Sequence, residues 1–526
     1  MSAPVAPVPA TPPKKGAGLW RSTFVVSLMT MLSRIAGLVR DMVYLNIFGA
    51  DRLMDAFLVA FKIPNFLRRL FAEGAFAQAF VPVLSEVRSQ RGNDAVKALV
   101  DRVAGTLAVV LGGVTVLAIV AAPGIIFLFA PGFRTDPFKF ELAADMLRIT
   151  FPYLLLISLT AFAGGILNSY QRFGASAFTP VLMNLTMIGF ALWVAPTMDQ
   201  PVMALAWGVL VSGIVQLGFQ VPYLRRIGML PRPRVGFRDP DVKRILNLML
   251  PAMFGVSVSQ INLLLDTILA SFLITGSVSW LYTAERLTEL PLGLIGIAVA
   301  TVILPSLSAK YAEKSHEEFK AMLDWALRVI VLVGLPASIA MGLLAKPLIA
   351  ALFMHGKFTA DDVQMSAAAL QALSGGILAF MLIKVFAPGY FSRQDIKTPV
   401  KIGIIAMVAN MVFNLMLVWH FKHVGLCMAS TLSAFLNAGL LYRGLHKRGV
   451  YRLERHWVRL GARYLAANAI MATLLVAITP ASAWWLAPQG NWLKVAAILG
   501  ICAAGALSYF VALFAFGFRL REIRHH

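Results

Sequence analysis

Arginine residues inside an apolar stretch are the feature of this sequence with the clearest chemical potential. Residues 64–76 read PNFLRRLFAEGAF, which places Arg68, Arg69 and Glu73 just after Pro64 in an otherwise apolar run. An arginine at the centre of a bilayer opposes insertion by about 2.5–3.5 kcal/mol. The two arginines therefore predict a polar or charged partner inside the membrane rather than contact with lipid tails.

Other apolar segments also carry charged side chains. They are Arg34, Arg40 and Asp41 in the first segment, Asp55 and Lys62 in the second, Glu285, Arg286 and Glu289 in the eighth, and Lys384 in the tenth. At 100° per residue, four charged residues of the second segment share one narrow helix face: Asp55, Lys62, Arg69 and Glu73. Pro64 is expected to bend that helix and bring Arg68 towards the same face.

Two interpretations of these charges are open. They could form internal ion pairs that hold helices together, for example Arg69 with Glu73 at i, i+4. Alternatively, they line a water-filled cavity prepared for an anion, because the basic residues at these positions outnumber the acidic ones. The planar guanidinium of arginine grips phosphate or carboxylate through two hydrogen bonds, so the predicted substrate is phosphorylated.

The sequence thus predicts two sets of site residues. The predicted substrate-binding residues are Arg34, Arg40, Arg68, Arg69, Arg286 and Lys384. The predicted gate or charge-pair residues are Asp55, Glu73, Glu285 and Glu289. No residue is predicted to be catalytic.

A second polar group lies in the C-terminal half. Asp266 is a lone acid in an apolar segment, Asn410 and Asn414 share a helix face at i, i+4, and Thr431 follows in the next segment. Oxygen ligands of this kind suit Na⁺, and a buried carboxylate can carry a proton. The alternative is ordinary hydrogen bonding between helices by Asn and Thr.

Composition places the chain among polytopic membrane proteins. Its 526 residues are 59% hydrophobic and 14% charged, and the mean hydropathy is +0.76, whereas soluble domains have about 25% charged residues. The fold class is therefore all-α, with room for about fourteen transmembrane helices. The net charge of +22 is explained by basic cytoplasmic loops near anionic lipid, without nucleic acid.

Catalytic and nucleotide motifs are absent from the sequence. No GxxxxGK[ST] phosphate loop, HExxH or GxSxG occurs. We therefore expect a transporter that is not an enzyme and that needs no cofactor beyond coupling to Na⁺ or a proton.

The charge of the loops predicts topology. Residues 223–244 contain seven Lys or Arg and residues 442–459 contain six, whereas 195–201, 274–279 and 480–491 contain none. The positive-inside rule then places both termini in the cytoplasm. The predicted divisions are a disordered tail (1–18), a six-helix lobe (19–226), a basic linker (227–240), a second six-helix lobe (241–446), a basic loop (447–459), two further helices (460–518) and a basic tail (519–526).

A short internal similarity suggests that the two lobes are repeats. FVPVLSE at 80–86 resembles ILPSLSA at 303–309, and Pro64 and Pro291 precede them in matching places. Two six-helix halves in the same orientation would be parallel repeats, a common plan in transporters. Chance similarity between apolar helices is the alternative.

Several segments resemble the MurJ/MviN family of lipid II flippases, part of a superfamily that includes multidrug exporters and polysaccharide-unit flippases. They include SLMTMLSRIAGLVRD, DAFLVAFKIPNFLRRLFAEGAFAQAFVPVLSE, GVSVSQINLLLDTILASFL and IKVFAPGYFSRQDIKTPVKI. The resemblance implies fourteen helices around a central cationic cavity, with the last two helices forming a groove for a polyprenyl tail. It also implies a bacterial inner-membrane location.

The substrate implied by this resemblance is the undecaprenyl-diphosphate-linked disaccharide-pentapeptide, which is moved from the cytoplasmic to the outer leaflet. The resemblance also assigns importance to the charged positions above and a cation site to Asp266, Asn410, Asn414 and Thr431. We expect a monomer that works by alternating access and contacts membrane lipids. The alternatives are a flippase for another polyprenyl-linked oligosaccharide, an exporter of amphipathic drugs, and an enzyme acting on a lipid diphosphate.

Overall fold

The computed structural model describes residues 17–70, 76–293, 297–487 and 490–519. The predictions for Glu73, for the N-terminal tail up to residue 16 and for the C-terminal residues from 520 onwards lie outside these described residues. The described residues are mostly helical and contain no strand, which confirms the predicted all-α class.

The described residues form nineteen α-helices, α1 to α19 in chain order. Their bounds are α1 Ala17–Phe48, α2 Arg52–Arg68, α3 Phe76–Val120, α4 Ala122–Phe129, α5 Pro137–Thr150, α6 Tyr153–Ser169, α7 Phe173–Gly189, α8 Met203–Arg226, α9 Pro240–Ser271, α10 Ser277–Pro291, α11 Ile297–Ala312, α12 His316–Leu343, α13 Ala345–Phe353, α14 Ala360–Ser374, α15 Ile377–Phe391, α16 Lys397–Lys447, α17 His456–Ile478, α18 Ser482–Leu486 and α19 Asn491–Ala515.

Within the described residues, nine helical stretches are long and apolar enough to cross a membrane. Two of them contain a sharp break in the backbone, at Gly92 in α3 and at Lys422 in α16. Gly92 has a φ of 79°, in the left-handed region that glycine adopts without strain. Each break separates two apolar segments that the sequence assigns to different crossings. The total of fourteen crossings stays a prediction.

The helices form two packing groups. In residues 17–226, α1 packs on α7, α7 and α6 pack on α8, and α2 packs on α5. In residues 240–447, α10 packs on α14, α12 on α15, and α15 on α16. We call these the first group and the second group. Helix α9 belongs to the second group, where it packs on α16, and it also packs on α3 of the first group.

The basic linker between the groups is docked on α3. The backbone N–H of Arg232 donates to Asp101 Oδ1 at 2.7 Å, and that of Arg234 donates to the Asp101 carbonyl at 2.9 Å. At the start of α9, Arg244 pairs with Glu86 of α3 at 2.9 Å. The end of the molecule that carries this linker is called the basic end.

The last two long helices, α17 and α19, pack on each other and on the second group. Asp324 of α12 anchors the start of α17, because it accepts hydrogen bonds from Tyr451 Oη and Trp457 Nε1, each at 2.6 Å. Tyr509 of α19 donates to the carbonyl of Leu332 at 2.8 Å. Both helices are therefore fixed to α12.

Candidate functional site

A cavity of about 860 Å³ lies between the two groups. Its lining comes from α1, α2, α6, α7 and α8, with one residue each from α3 and α4, on one side and from α9 and α10 on the other. It extends towards the basic end, where Asn168 and Phe173 flank the loop between α6 and α7. Among the described lining residues six are basic and two are acidic: Arg34, Arg40, Lys62, Arg68, Arg69 and Arg286, with Glu285 and Glu289.

Asp41 holds two of these arginines. Its Oδ1 accepts from Arg40 Nη2 at 2.7 Å and from Tyr282 Oη at 2.9 Å. Its Oδ2 forms an ion pair with Arg286 Nε at 2.7 Å. Asp41 is 1% exposed, so this carboxylate is fully withdrawn from water. Arg286 also pairs with Glu289 Oε2 at 3.3 Å, so the positive charge of the cavity comes from the excess of basic over acidic residues in its lining.

Arg40 is bound on every side. Besides Asp41, its Nη1 donates to Asn184 Oδ1 at 3.1 Å and its Nη2 donates to Tyr282 Oη at 2.9 Å. The side chain is buried. A substrate-binding role for Arg40 stays a prediction, because the side chain lines the cavity but its polar groups are engaged, while Arg286 is 19% exposed at the cavity wall.

Weaker contacts join the first group to α10. Lys62 Nζ lies 3.8 Å from Glu285 Oε2, and Arg34 Nη1 lies 3.4 Å from the carbonyl of Glu289. Both are near the upper limit for such contacts, and the Lys62–Glu285 pair is partly exposed. Exposed or strained ion pairs of this kind contribute little to stability. These basic groups are therefore available to an anion at small cost.

Arg68 and Arg69 line the cavity at the end of α2. Arg68 Nε donates to Asn65 Oδ1 at 3.0 Å, which orients its guanidinium. The predicted Arg69–Glu73 pair lies outside the described residues. Lys384 is half-buried on α15 and is not among the described residues that line the cavity.

Two glycines allow the arginines to lie close to neighbouring helices. A Cβ at Gly37 of α1 would overlap Arg286 Nη2, and a Cβ at Gly293 would overlap the guanidinium of Arg34. Both arginines cross from one group to the other at these points. At both positions glycine is needed because an arginine side chain lies too close for a Cβ, and not because of the backbone conformation.

Asp55 closes the opposite end of the cavity. Its Oδ2 accepts from Lys139 Nζ at 2.9 Å and from the N–H of Gly276 at 2.8 Å, and its Oδ1 accepts from the N–H and Oγ of Ser279 at 3.0 and 2.7 Å. Gly276 is the N-cap residue of α10 and has no side chain of its own. Asp55 of the first group therefore caps a helix of the second group.

Backbone contacts reinforce this closed end. The N–H of Lys357 donates to the carbonyl of Asn46 at 2.9 Å, and the N–H of Gly132 donates to Ser271 Oγ at 3.1 Å. Gly356 has a φ of 59°, and a Cβ there would overlap Asn46. The two groups thus touch backbone to backbone. Glu285 and Glu289, predicted with Asp55 as gate or charge-pair residues, line the cavity and pair with Lys62 and Arg286 respectively.

The predicted cation residues meet only in part. Asn414 Nδ2 donates to Asp266 Oδ1 at 2.7 Å and to Asn410 Oδ1 at 3.1 Å. Asn414 Oδ1 is buried and has no hydrogen-bond partner among the described residues. Thr431 donates to the carbonyl of Ala372 at 2.7 Å. Among the described residues, no three His, Cys, Asp or Glu side chains lie close enough to hold a metal ion.

Sequence reasoning did not assign several polar residues of the site. Asp41 was noted only as one of many charges, and Asn184 and Tyr282 were not singled out. Gln216 and Gln220 of α8 also line the cavity. Their signal in the sequence is a pair of amides four residues apart in an apolar helix.

This helical fold with a charged cavity closed at one end defines a polytopic membrane transporter. A solved structure described as "Lipid II flippase MurJ, inward closed conformation" superposes with a TM-score of 0.79 at 24% identity, covering 94% of this chain and 98% of that one. An inward-facing MATE family transporter of the MOP superfamily superposes with a TM-score of 0.68 at 16% identity, covering 81% and 98%. At these identities the likeness concerns the fold.

The sequence identifies the family. A family model described as "Lipid II flippase MurJ" matches residues 45–522. The "Probable lipid II flippase MurJ" of Vibrio cholerae is 47% identical over 96% of this chain and 98% of its own length. The "Lipid II flippase MurJ" of Burkholderia cenocepacia is 42% identical over 96% and 99%. The chain belongs to the lipid II flippase MurJ family, and it is a multi-pass inner-membrane transporter rather than an enzyme.

Replacement of Gly37 tests the position of Arg286. Gly37→Ala adds a methyl group where Arg286 Nη2 lies, so the guanidinium must leave Asp41. We expect the affinity of the purified protein for inorganic pyrophosphate, measured by isothermal titration, to fall about tenfold, equivalent to about 1.4 kcal/mol. Gly218→Ala on α8 is the control, since a Cβ there meets nothing within 4 Å. Equal affinities in both variants would contradict the assignment.

Proposed function

We propose that this protein flips lipid II, the undecaprenyl-diphosphate-linked peptidoglycan precursor, from the cytoplasmic to the periplasmic leaflet by alternating access. The observation that carries the proposal is the excess of basic side chains in a cavity between two helical groups. The names of the related proteins support the choice of substrate. The head group would occupy the cavity while the polyprenyl tail remains in lipid.

The diphosphate is the part of the substrate that the arginines suit. Arg34, Arg68 and Arg69 line the cavity with Arg286, and guanidinium groups bind phosphate oxygens through paired hydrogen bonds. Arg40 orients this set through Asp41. Lys384 would reach the head group only after movement of α15, since it does not line the described cavity.

We place the basic end in the cytoplasm, together with both termini. The seven Lys or Arg of residues 223–244 support this orientation. The closed end then faces the periplasm, and the cavity extends towards the side from which lipid II arrives. A negative-inside potential favours outward movement of an anionic head group by about 2.3 kcal/mol per charge per 100 mV.

Opening of the periplasmic end would require the two groups to separate at Asp55. This separation removes the cap from α10 and the bonds to Ser279, while the Lys139–Asp55 pair stays within the first group. A hydrogen bond to a charged group contributes about 1.5–3 kcal/mol. Asp55 thus stabilises the state in which the periplasmic end is closed, and we call this role the lock. In this scheme the first and second groups are the lobes that rock.

Asp266 and its amide partners are proposed to couple transport to Na⁺ or to a proton. Asn414 presents its Nδ2 to two oxygens while its own Oδ1 is unpaired. Rotation of this amide by 180° would direct three oxygens, from Asp266, Asn410 and Asn414, towards one point. Oxygen donors are the ligands that hard cations prefer. Thr431 would join them only by leaving Ala372.

The helices α17 and α19 are proposed to hold the polyprenyl tail in a groove and to act within a monomer. Large apolar side chains on both are exposed, among them Leu465 and Val476 of α17 and Leu499 and Leu507 of α19. Exposed apolar surface of this kind is compatible with lipid or with a lipid tail.

Arginine replacements test the flippase function. Arg68→Ala and Arg286→Ala should each abolish movement of lipid II in proteoliposomes, because each removes a ligand for the diphosphate. Membrane insertion should be retained in both variants, and the unfolding temperature should change little in Arg68→Ala but fall in Arg286→Ala, which removes a partner of the buried Asp41. Arg148→Ala is the matched control, since Arg148 is exposed and pairs with Asp145 one turn away. Full flipping activity in both cavity variants would refute the proposed role.

Replacement of Asp55 tests the lock. Asp55→Asn removes the charge that caps α10, so the periplasmic end should open more often. Ala161→Cys, placed on a cavity-lining residue in a background lacking the natural Cys427 and Cys502, reports opening. We expect labelling by an impermeant maleimide from the periplasmic side to become about tenfold faster, corresponding to about 1.4 kcal/mol.

Asp51→Asn is the control for this experiment. Asp51 caps α2 by accepting from Leu53 and Met54 of its own helix, and among the described residues it makes no hydrogen bond to the other group. Asp51→Asn therefore makes the same change of charge as Asp55→Asn at the same end of the molecule. An unchanged labelling rate in Asp55→Asn, or an equal increase in both variants, would show that Asp55 does not lock the groups together.

The cation proposal predicts stabilisation by Na⁺. At a concentration about a hundred times Kd, a bound ion adds about 2.7 kcal/mol to stability. The unfolding temperature of the purified protein should rise in NaCl relative to choline chloride at equal ionic strength, and Asp266→Asn should remove the rise. A proton-coupled carboxylate would instead give a pH-dependent unfolding temperature that Asp266→Asn abolishes. If Asp266→Asn keeps the same dependence of the unfolding temperature on Na⁺ and on pH as the wild type, the proposed cation site is wrong.

A further inference from the structure

Two buried amides on α8 have hydrogen-bonding groups that the protein leaves unused. Gln216 and Gln220 are each 1% exposed and both line the cavity. Gln216 Nε2 and Gln220 Oε1 have no hydrogen-bond partner among the described residues. An unpaired buried polar group costs about 1–3 kcal/mol. The pair therefore needs a partner that the protein itself does not supply.

The unused groups are complementary to each other. One is a donor and the other an acceptor, and their residues lie one turn apart on the same face of α8. A sugar hydroxyl or an amide offers both a donor and an acceptor and can meet both groups. A diphosphate offers hydrogen-bond acceptors alone, so its oxygens would face another acceptor, Gln220 Oε1, without a hydrogen bond between them.

Gly164 of α6 leaves space beside these amides. A Cβ at this position would lie 3.3 Å from Ser176 Cβ and 3.8 Å from Gln220 Nε2. Ser176 donates to Asn168 Oδ1 at 2.7 Å, and both of these residues also line the cavity. The wall formed by α6, α7 and α8 is therefore polar and uncharged.

The charged and neutral walls are separate. The six basic lining residues come from α1, α2 with the residue after it, and α10, and among the described lining residues none comes from α6, α7 or α8. Burial makes this separation effective, because charges in a low dielectric attract an anion strongly and neutral amides do not. Each wall thus suits a different part of a mixed ligand.

We propose that Gln216 and Gln220 form a neutral subsite that binds the hydroxyl- and amide-rich part of the substrate head group and thereby determine specificity. This inference rests on the proposed flippase function, since it assumes that the arginines hold the diphosphate of the same molecule. The subsite distinguishes a lipid diphosphate that carries sugar and peptide from one that carries neither.

The test compares two lipids and three proteins. The lipids are the undecaprenyl-diphosphate-linked disaccharide-pentapeptide and undecaprenyl diphosphate without sugar. The proteins are the wild type, the double variant Gln216→Met with Gln220→Met, and Gln371→Met, a control with the same substitution at an exposed position of α14. Methionine keeps the length of the side chain and removes its hydrogen bonds. Binding is measured in detergent by titration.

The double variant should bind the sugar-bearing lipid about tenfold more weakly or worse, because two hydrogen bonds to the head group are lost. Its affinity for undecaprenyl diphosphate should equal that of the wild type, and the control should match the wild type for both lipids. A general structural defect would weaken both lipids equally and would overturn the proposal.

Two other outcomes are distinguishable. If the amides bind only water, the double variant will bind both lipids as the wild type does, which overturns the subsite and leaves the flippase function intact. If the wild-type protein binds neither lipid, the proposed function itself fails, and the subsite fails with it. The ratio of the two affinities in the wild type and in the double variant therefore decides the proposal.

Discussion

The ion pairs of Asp41 are the interaction on which the cavity depends. Asp41 is 1% exposed, so its negative charge has to be balanced by cations of the protein itself. Here the carboxylate is shared by Arg40 and Arg286, which come from different packing groups. Removal of one partner from a buried ion pair typically costs about 3–5 kcal/mol. Asp41 therefore keeps both arginines in place and still leaves the cavity positive.

Helix α10 connects this charge cluster to the closed end. Its first turn is bound to Asp55 through Gly276 and Ser279, and two turns later it presents Arg286 to Asp41. A helix rises about 1.5 Å per residue and moves as a rigid rod over this length. In the proposed mechanism, a ligand that shifts α10 through Arg286 would also act on the cap at Asp55. The coupling is reciprocal, so opening of the closed end changes the affinity for the ligand.

The sequence predicts the architecture well because the energies involved are large. Apolar segments of this length and composition can only be membrane helices. The cost of burying guanidinium groups likewise identifies Arg34, Arg68 and Arg286 before their positions are known, and all three line the cavity. What a single sequence does not contain is the pairing between helices. Lys139 is one of many basic residues in the sequence, and its bond to Asp55 depends on how α5 packs against α2.

The same limit explains why the neutral residues escape prediction. An amide costs far less to bury than a charge, so Gln216 and Gln220 give no strong signal in an apolar helix. Their importance becomes visible only when the structure shows that their hydrogen-bonding groups are unpaired inside a cavity. Strong charge attracts any phosphorylated lipid, including the many phospholipids of the membrane. Discrimination among such anions therefore has to come from weaker, directional groups, and these are the groups that α8 provides.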